Sequence, residues 1–143
     1  MDDILKIVFA VATLGHGLAH LAATFNLGRQ VGGTTKDNVI TVRTWLLPNL
    51  SPVHAAALAM AFWLPATIGF IAAVPLMFGF PTADAPWSAV LVGSAILSAV
   101  GIGLFSGIWP GGETRLRPLH VFLALGMDAI LLITQLFLGW PAA

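Results

Sequence analysis

Apolar residues fall in four long runs, at about residues 4–27, 52–78, 87–109 and 118–139, with short polar stretches between them. Each run is close to the roughly 20 residues that an α-helix needs to cross the hydrocarbon core of a bilayer. The pattern predicts an all-α integral membrane protein, an antiparallel four-transmembrane-helix bundle forming a single membrane domain over residues 1–143. Gly28 is placed to stop helix 1, Pro52 opens helix 2, and Pro118 and Gly139 bracket helix 4. Pro65 and Pro75 lie inside helix 2. Pro65 has no N–H for the Ala61 carbonyl, so a kink is expected near mid-helix. Helix 3 carries Ala95, Ala99, Gly103 and Gly107 at four-residue spacing, with Ser94 and Ser98 beside them. Small residues at that spacing let helices approach closely, so helix 3 reads as a packing element.

The longest connection, residues 28–51, has a polar tip from Gly32 to Asp37. Its second half, VITVRTWLLPNL, is too apolar for a free loop. It is expected to lie in the membrane interface as a short strand-like or helical piece, with Arg43 and Trp45 at headgroup level.

Polar residues inside the apolar runs are few, and Thr13–Thr24 (TLGHGLAHLAAT) holds the densest group. At 3.6 residues per turn, Thr13, His16, His20 and Thr24 form one stripe. A polar stripe in hydrocarbon must face protein or water rather than lipid. Counted at about 1.5 Å per residue from the shared loop side, His16 lies about 16 Å deep, near the bilayer midplane. Asp128, about ten residues into helix 4, reaches nearly the same depth, as do Trp63 and Pro65 of helix 2. His20 sits one turn shallower, and His54 and His120 lie near the mouths of helices 2 and 4.

Composition narrows the class. Hydrophobic residues make up 58% of the chain and charged ones 8%, against about 25% charged in soluble domains. With a mean hydropathy of +0.94, the chain has no solvated exterior. Zero net charge and the lack of a basic tract exclude nucleic acid as a partner. Without cysteine, disulfides, thiolate metal sites and thiol catalysis are excluded; without tyrosine, phenolic proton donors are too. The start, MDDILKIV, puts Asp2 and Asp3 where a signal peptide carries positive charge, so it reads as a retained first helix. Arg29, Lys36 and Arg43 lie in the first connection, and Arg115 and Arg117 in the third. The positive-inside rule then makes loops 28–51 and 110–117 cytoplasmic and both termini external, in a bacterial inner membrane. Trp87 and Trp140 would belt the outer interface, and Trp45 and Trp109 the inner one. In size and layout the chain resembles small four-helix bacterial membrane proteins, DoxX-like ones among them, and no motif assigns it to a family.

Three functions suit these residues. The first is ligand binding. Imidazoles at i and i+4 share a helix face, as in helical zinc sites and haem-bearing bundles. His16 and His20 would ligate a metal ion with His54, His120 or Asp128 completing the set, or bind a haem-type tetrapyrrole or hydrophobic small molecule with Trp63 alongside. H-E-x-x-H is absent, since Gly17, Leu18 and Ala19 separate the pair. The second is a small isomerase-like enzyme acting on a lipidic substrate, with His16 and Asp128 as acid and base. The third is a structural subunit in which the histidines join helices. The expected partners are the lipid bilayer and either other membrane subunits or further copies of the chain.

Overall fold

The computed structural model describes residues 2–32, 42–81, 86–106 and 117–140, and the statements below concern those residues. They form four helices, α1 (Asp2–Val31), α2 (Pro52–Met77), α3 (Trp87–Leu104) and α4 (Arg117–Leu136), and two short strands, β1 (Arg43–Thr44) and β2 (Phe105–Ser106). All four helices are long and apolar enough to cross a membrane.

Predicted boundaries move by three or more residues at the ends of helices 1, 3 and 4. Gly28 does not stop helix 1. It stays helical, its carbonyl accepts from Gly32 N at 2.9 Å, and the helix runs on to Val31. Helix 3 ends at Leu104 rather than 109, because the next two residues leave the helix to pair with the first connection. Arg43 faces Ser106 and Thr44 faces Phe105 in an antiparallel ladder, and Trp45 Nε1 donates to the Gly103 carbonyl at 2.8 Å. The apolar half of the first connection thus holds a short strand, with Trp45, Leu46 and Leu47 exposed beside it. α2 starts as its sequence suggests. Ser51 caps it, Pro52 opens it, and the helix continues through Pro65 and Pro75. Gly139, in a left-handed conformation, follows α4 three residues beyond its end. Lys36, Asp84, Trp109 and Arg115 lie outside the described residues.

α1 packs along α2, α2 along α3, and α3 along α4. Glycine makes these approaches possible. A Cβ on Gly17 would meet Phe70 Cβ at 3.0 Å, one on Gly101 would meet Trp63 Nε1 at 2.8 Å, and one on Gly69 would strike Ser94 Oγ. The buried face of α3 is therefore Leu91, Ser94, Ala95, Ser98, Gly101 and Ile102 rather than the Ala95–Ala99–Gly103 row, whose Gly103 is exposed. Trp87 is likewise packed in the core. Apolar residues form two clusters, one around Leu27, Ala59 and Trp63 and the other around Phe70, Leu91 and Leu131. The polar stripe of α1 lies among them, with Thr13, His16, His20 and Thr24 all buried.

Candidate metal centre

One turn of α1 brings the imidazoles of His16 and His20 to a centroid separation of 4.7 Å, edge to face. α4 supplies Asp128 opposite them. His16 Nε2 donates to Asp128 Oδ1 at 2.8 Å, which joins the two helices at the level that depth counting gave for both residues. α3 is not mere packing here. Ser98 Oγ donates to Asp128 Oδ2 at 2.6 Å and lies 3.0 Å from His20 Nε2. A hydroxyl has one hydrogen to give. Since Ser98 gives it to the carboxylate, it accepts from His20, whose Nε2 therefore carries a proton. The chain His20–Ser98–Asp128–His16 is thus a directed run of hydrogen bonds with the carboxylate accepting from both sides. His20 and Ser98 are 0% exposed and Asp128 1%, so these bonds, and not bulk water, satisfy the carboxylate.

Aromatic rings close the space around the histidines. Trp63 lies against His20 with ring centroids 4.5 Å apart and a 30° tilt, and Phe70 sits 4.8 Å from His16 and 5.4 Å from His20. One turn along α1 from His20, Thr24 Oγ1 donates to the His20 carbonyl at 2.9 Å, while Thr67 Oγ1 donates to the Trp63 carbonyl at 2.7 Å. The two hydroxyl oxygens are 3.0 Å apart, but both hydrogens are already given to backbone carbonyls, so the directed run ends there.

His16, His20 and Asp128 each offer a ligand atom within 4.8 Å of the others, so the group is able to hold a metal ion. His54 and His120, weighed with them as ligands, are not part of it. Both are exposed in the first turns of α2 and α4, and His54 Nδ1 lies 2.6 Å from Ser51 Oγ of its own helix cap. Trp63 borders the centre through His20, with no atom in the ligand set. Ser98, read from the sequence as a close-packing residue, instead bonds both Asp128 and His20. Its signal was position: a hydroxyl near the middle of a long apolar helix, level with a buried acid, rarely stays unbonded. Comparison with family models, with curated proteins and with solved structures finds no match. The functional reading therefore rests on geometry.

Proposed function

We propose that this chain is an inner-membrane protein of four antiparallel transmembrane helices whose His16–His20–Asp128 centre binds a divalent transition-metal ion. The observation that carries the reading is the convergence of three ligand atoms within 4.8 Å in the buried middle of the spans. Two imidazoles and one carboxylate form a donor set suited to first-row divalent metals. The energetics favour it too. An ionised Asp at a helix centre costs about 2.5–3.5 kcal/mol on insertion scales, and a cation bound directly to the carboxylate offsets that charge. A haem-type ligand is less well supported, because Trp63 and Phe70 pack against the imidazoles and leave little room for a macrocycle beside them. An acid–base role for His16 and Asp128 on a lipidic substrate is the second reading, favoured by their 2.8 Å contact.

The antiparallel arrangement is supported by the contacts. Thr24 meets Thr67 while His16 meets Phe70, so positions fall along α1 as they rise along α2. Ser98 meets Asp128 while Ser88 meets Gln135, the same relation between α3 and α4. Pairing of β1 with β2 favours placing the first and third connections on one side, the cytoplasmic side by their Arg and Lys content. Exposed apolar faces on every helix suit lipid, and they also suit a second copy or another membrane subunit.

Elemental analysis of the full-length protein in mild detergent tests the metal reading. About one equivalent of a divalent first-row metal is expected in wild type, His54→Ala and His120→Ala, and a loss of 10-fold or more in affinity in His16→Ala and Asp128→Ala (about 10–100-fold is typical even for outer-shell changes). Equal metal content in wild type and in His16→Ala and Asp128→Ala overturns it, and leaves the acid–base reading ahead.

A further inference from the structure

Resting on the acid–base reading of His16 and Asp128 and deepening it, we propose that the site binds the hydroxyl group of a membrane-soluble alcohol or phenol. That hydroxyl is held between His16 Nδ1 and Thr13 Oγ1, and it is admitted along the seam between α1 and α4. His16 gives its Nε2 hydrogen to Asp128 at 2.8 Å, and its Nδ1 has no hydrogen-bond partner among the described residues. Nδ1 is an acceptor in the neutral ring and a donor in the imidazolium. A hydroxyl suits both states, since it donates and accepts, whereas a carbonyl or an ether oxygen suits only the second.

Thr13 supplies the second anchor. Thr24, Thr67, Ser94 and Thr134 each donate to the carbonyl four residues back. Thr13 Oγ1 does not: it is fully enclosed and has no partner among the described residues. Its hydroxyl is therefore turned away from its own helix backbone, and a buried hydroxyl left in that state is rare. Thr13 and His16 are three residues apart on one helix face, which sets their Cβ atoms about 5–6 Å apart. One oxygen lodged between the two side chains can bond to both at ordinary lengths of about 2.8 Å.

The packing of the helices leaves a way in. α1 packs along α2, α2 along α3 and α3 along α4, but α1 and α4 make no comparable backbone approach. Side chains join them instead: His16 reaches Asp128, and the Phe9 ring stands edge-on to Trp140, just beyond α4, at a centroid distance of 5.5 Å. The residues one turn to either side of His16, Ala12 and Ala19, are small and exposed, and a Cβ on Gly15 would meet nothing within 4 Å. His16 keeps 8% exposure, while Thr13, His20 and Asp128 keep at most 1%. In the membrane placement proposed above, hydrocarbon rather than water meets that flank. A hydroxyl that arrives there is carried on an apolar body.

Nitrogen NMR of the full-length, chelator-treated protein in lipid nanodiscs, with isotope-labelled histidine, tests the proposal by titration with para-octylphenol and with its methyl ether. The His16 Nδ1 resonance, identified by its loss in His16→Gln, is expected to shift saturably with the phenol and not with the ether. Thr13→Val, which keeps the side chain's shape, is expected to weaken the titration about three- to tenfold, the worth of one hydrogen bond. Asp128→Asn is expected to reduce the shift, because the carboxylate across the ring makes Nδ1 the stronger base. No response, an equal response to phenol and ether, or an unchanged midpoint in Thr13→Val overturns the hydroxyl site and leaves His16 and Asp128 to act on another lipidic group. A phenol-induced shift as large in Asp128→Asn as in wild type overturns the acid–base reading itself.

Discussion

Replacing Asp128 by Asn and by Ala separates the shape of the side chain from its charge. In Asp128→Asn the amide oxygen still accepts from His16 Nε2, but the amide nitrogen now faces Ser98 Oγ, formerly a donor at 2.6 Å. Ser98 must then accept from the amide and give its own hydrogen to His20 Nε2, 3.0 Å away, while the His20 proton moves to the other ring nitrogen. Every hydrogen bond of the run survives, two with reversed direction, so within the run the cost is that of exchanging equivalent bonds, below about 1 kcal/mol. Asp128→Ala removes both acceptors instead. Interhelical hydrogen bonds in membranes average about 0.6 kcal/mol and reach about 1.7, so losing two costs about 1–3 kcal/mol. The 3–5 kcal/mol (approximately) typical of a broken buried ion pair in water-soluble proteins is not expected, because helices separated within the membrane also find partners for their polar groups. Reversible unfolding in mixed micelles, followed by the fluorescence of the five tryptophans, measures both variants. Asn should stay near wild type and Ala should fall, yet both should lose the metal, since an amide is a poor substitute for a carboxylate ligand. If Asn costs as much as Ala, the reversible hydrogen-bond run is wrong; if Ala costs nothing, the run contributes nothing to the fold.

Gly101→Ala should destabilise the protein by about 1–3 kcal/mol, the range of core overpacking, because its Cβ would sit 2.8 Å from Trp63 Nε1 and 3.2 Å from Phe62 Cβ. Gly93→Ala, whose Cβ meets nothing within 4 Å, is the matched control in the same unfolding titration, and equal effects would refute the close-approach account. In this cysteine-free chain, Arg43→Cys with Ser106→Cys should form a disulfide under mild oxidation, since the two residues face one another in the β1–β2 ladder. Persistent free thiols, read by maleimide labelling, would refute that pairing. Arg43→Cys alone should react with a membrane-impermeant maleimide from inside-out vesicles only, and reaction from the outer side would reverse the proposed orientation.

The four helices long and apolar enough to cross a membrane were legible because that length and apolar composition are stated by the chain residue by residue. The stripe Thr13–His16–His20–Thr24 was legible from helical period alone, and depth counting brought His16 level with Asp128 before any contact was known. Boundaries were less so. Gly28 resembles a stop, yet helical bonding to Gly32 carries α1 past it, and the apparent third span gives up its last residues to a strand ladder with a segment some sixty positions earlier. Neither partner of that ladder marks the other in the sequence.

The role of Ser98 depends on how α3 is rotated about its axis. These helices are apolar nearly all round, so sequence carries little record of how each is rotated about its axis. Rotation is decided by where backbones approach, at Gly17 against Phe70, Gly69 against Ser94 and Gly101 against Trp63. Those contacts turn Ser98, and not Ala99 or Gly103, toward Asp128 and His20, and leave His54 and His120 on exposed surface. The sequence by itself determined how many long apolar helices there are, which polar residues share a helix face and how far along each helix they lie. Tertiary packing alone decided which faces meet, and so which side chains make up the centre, because that choice depends on shape complementarity between helices and not on the period within any one of them.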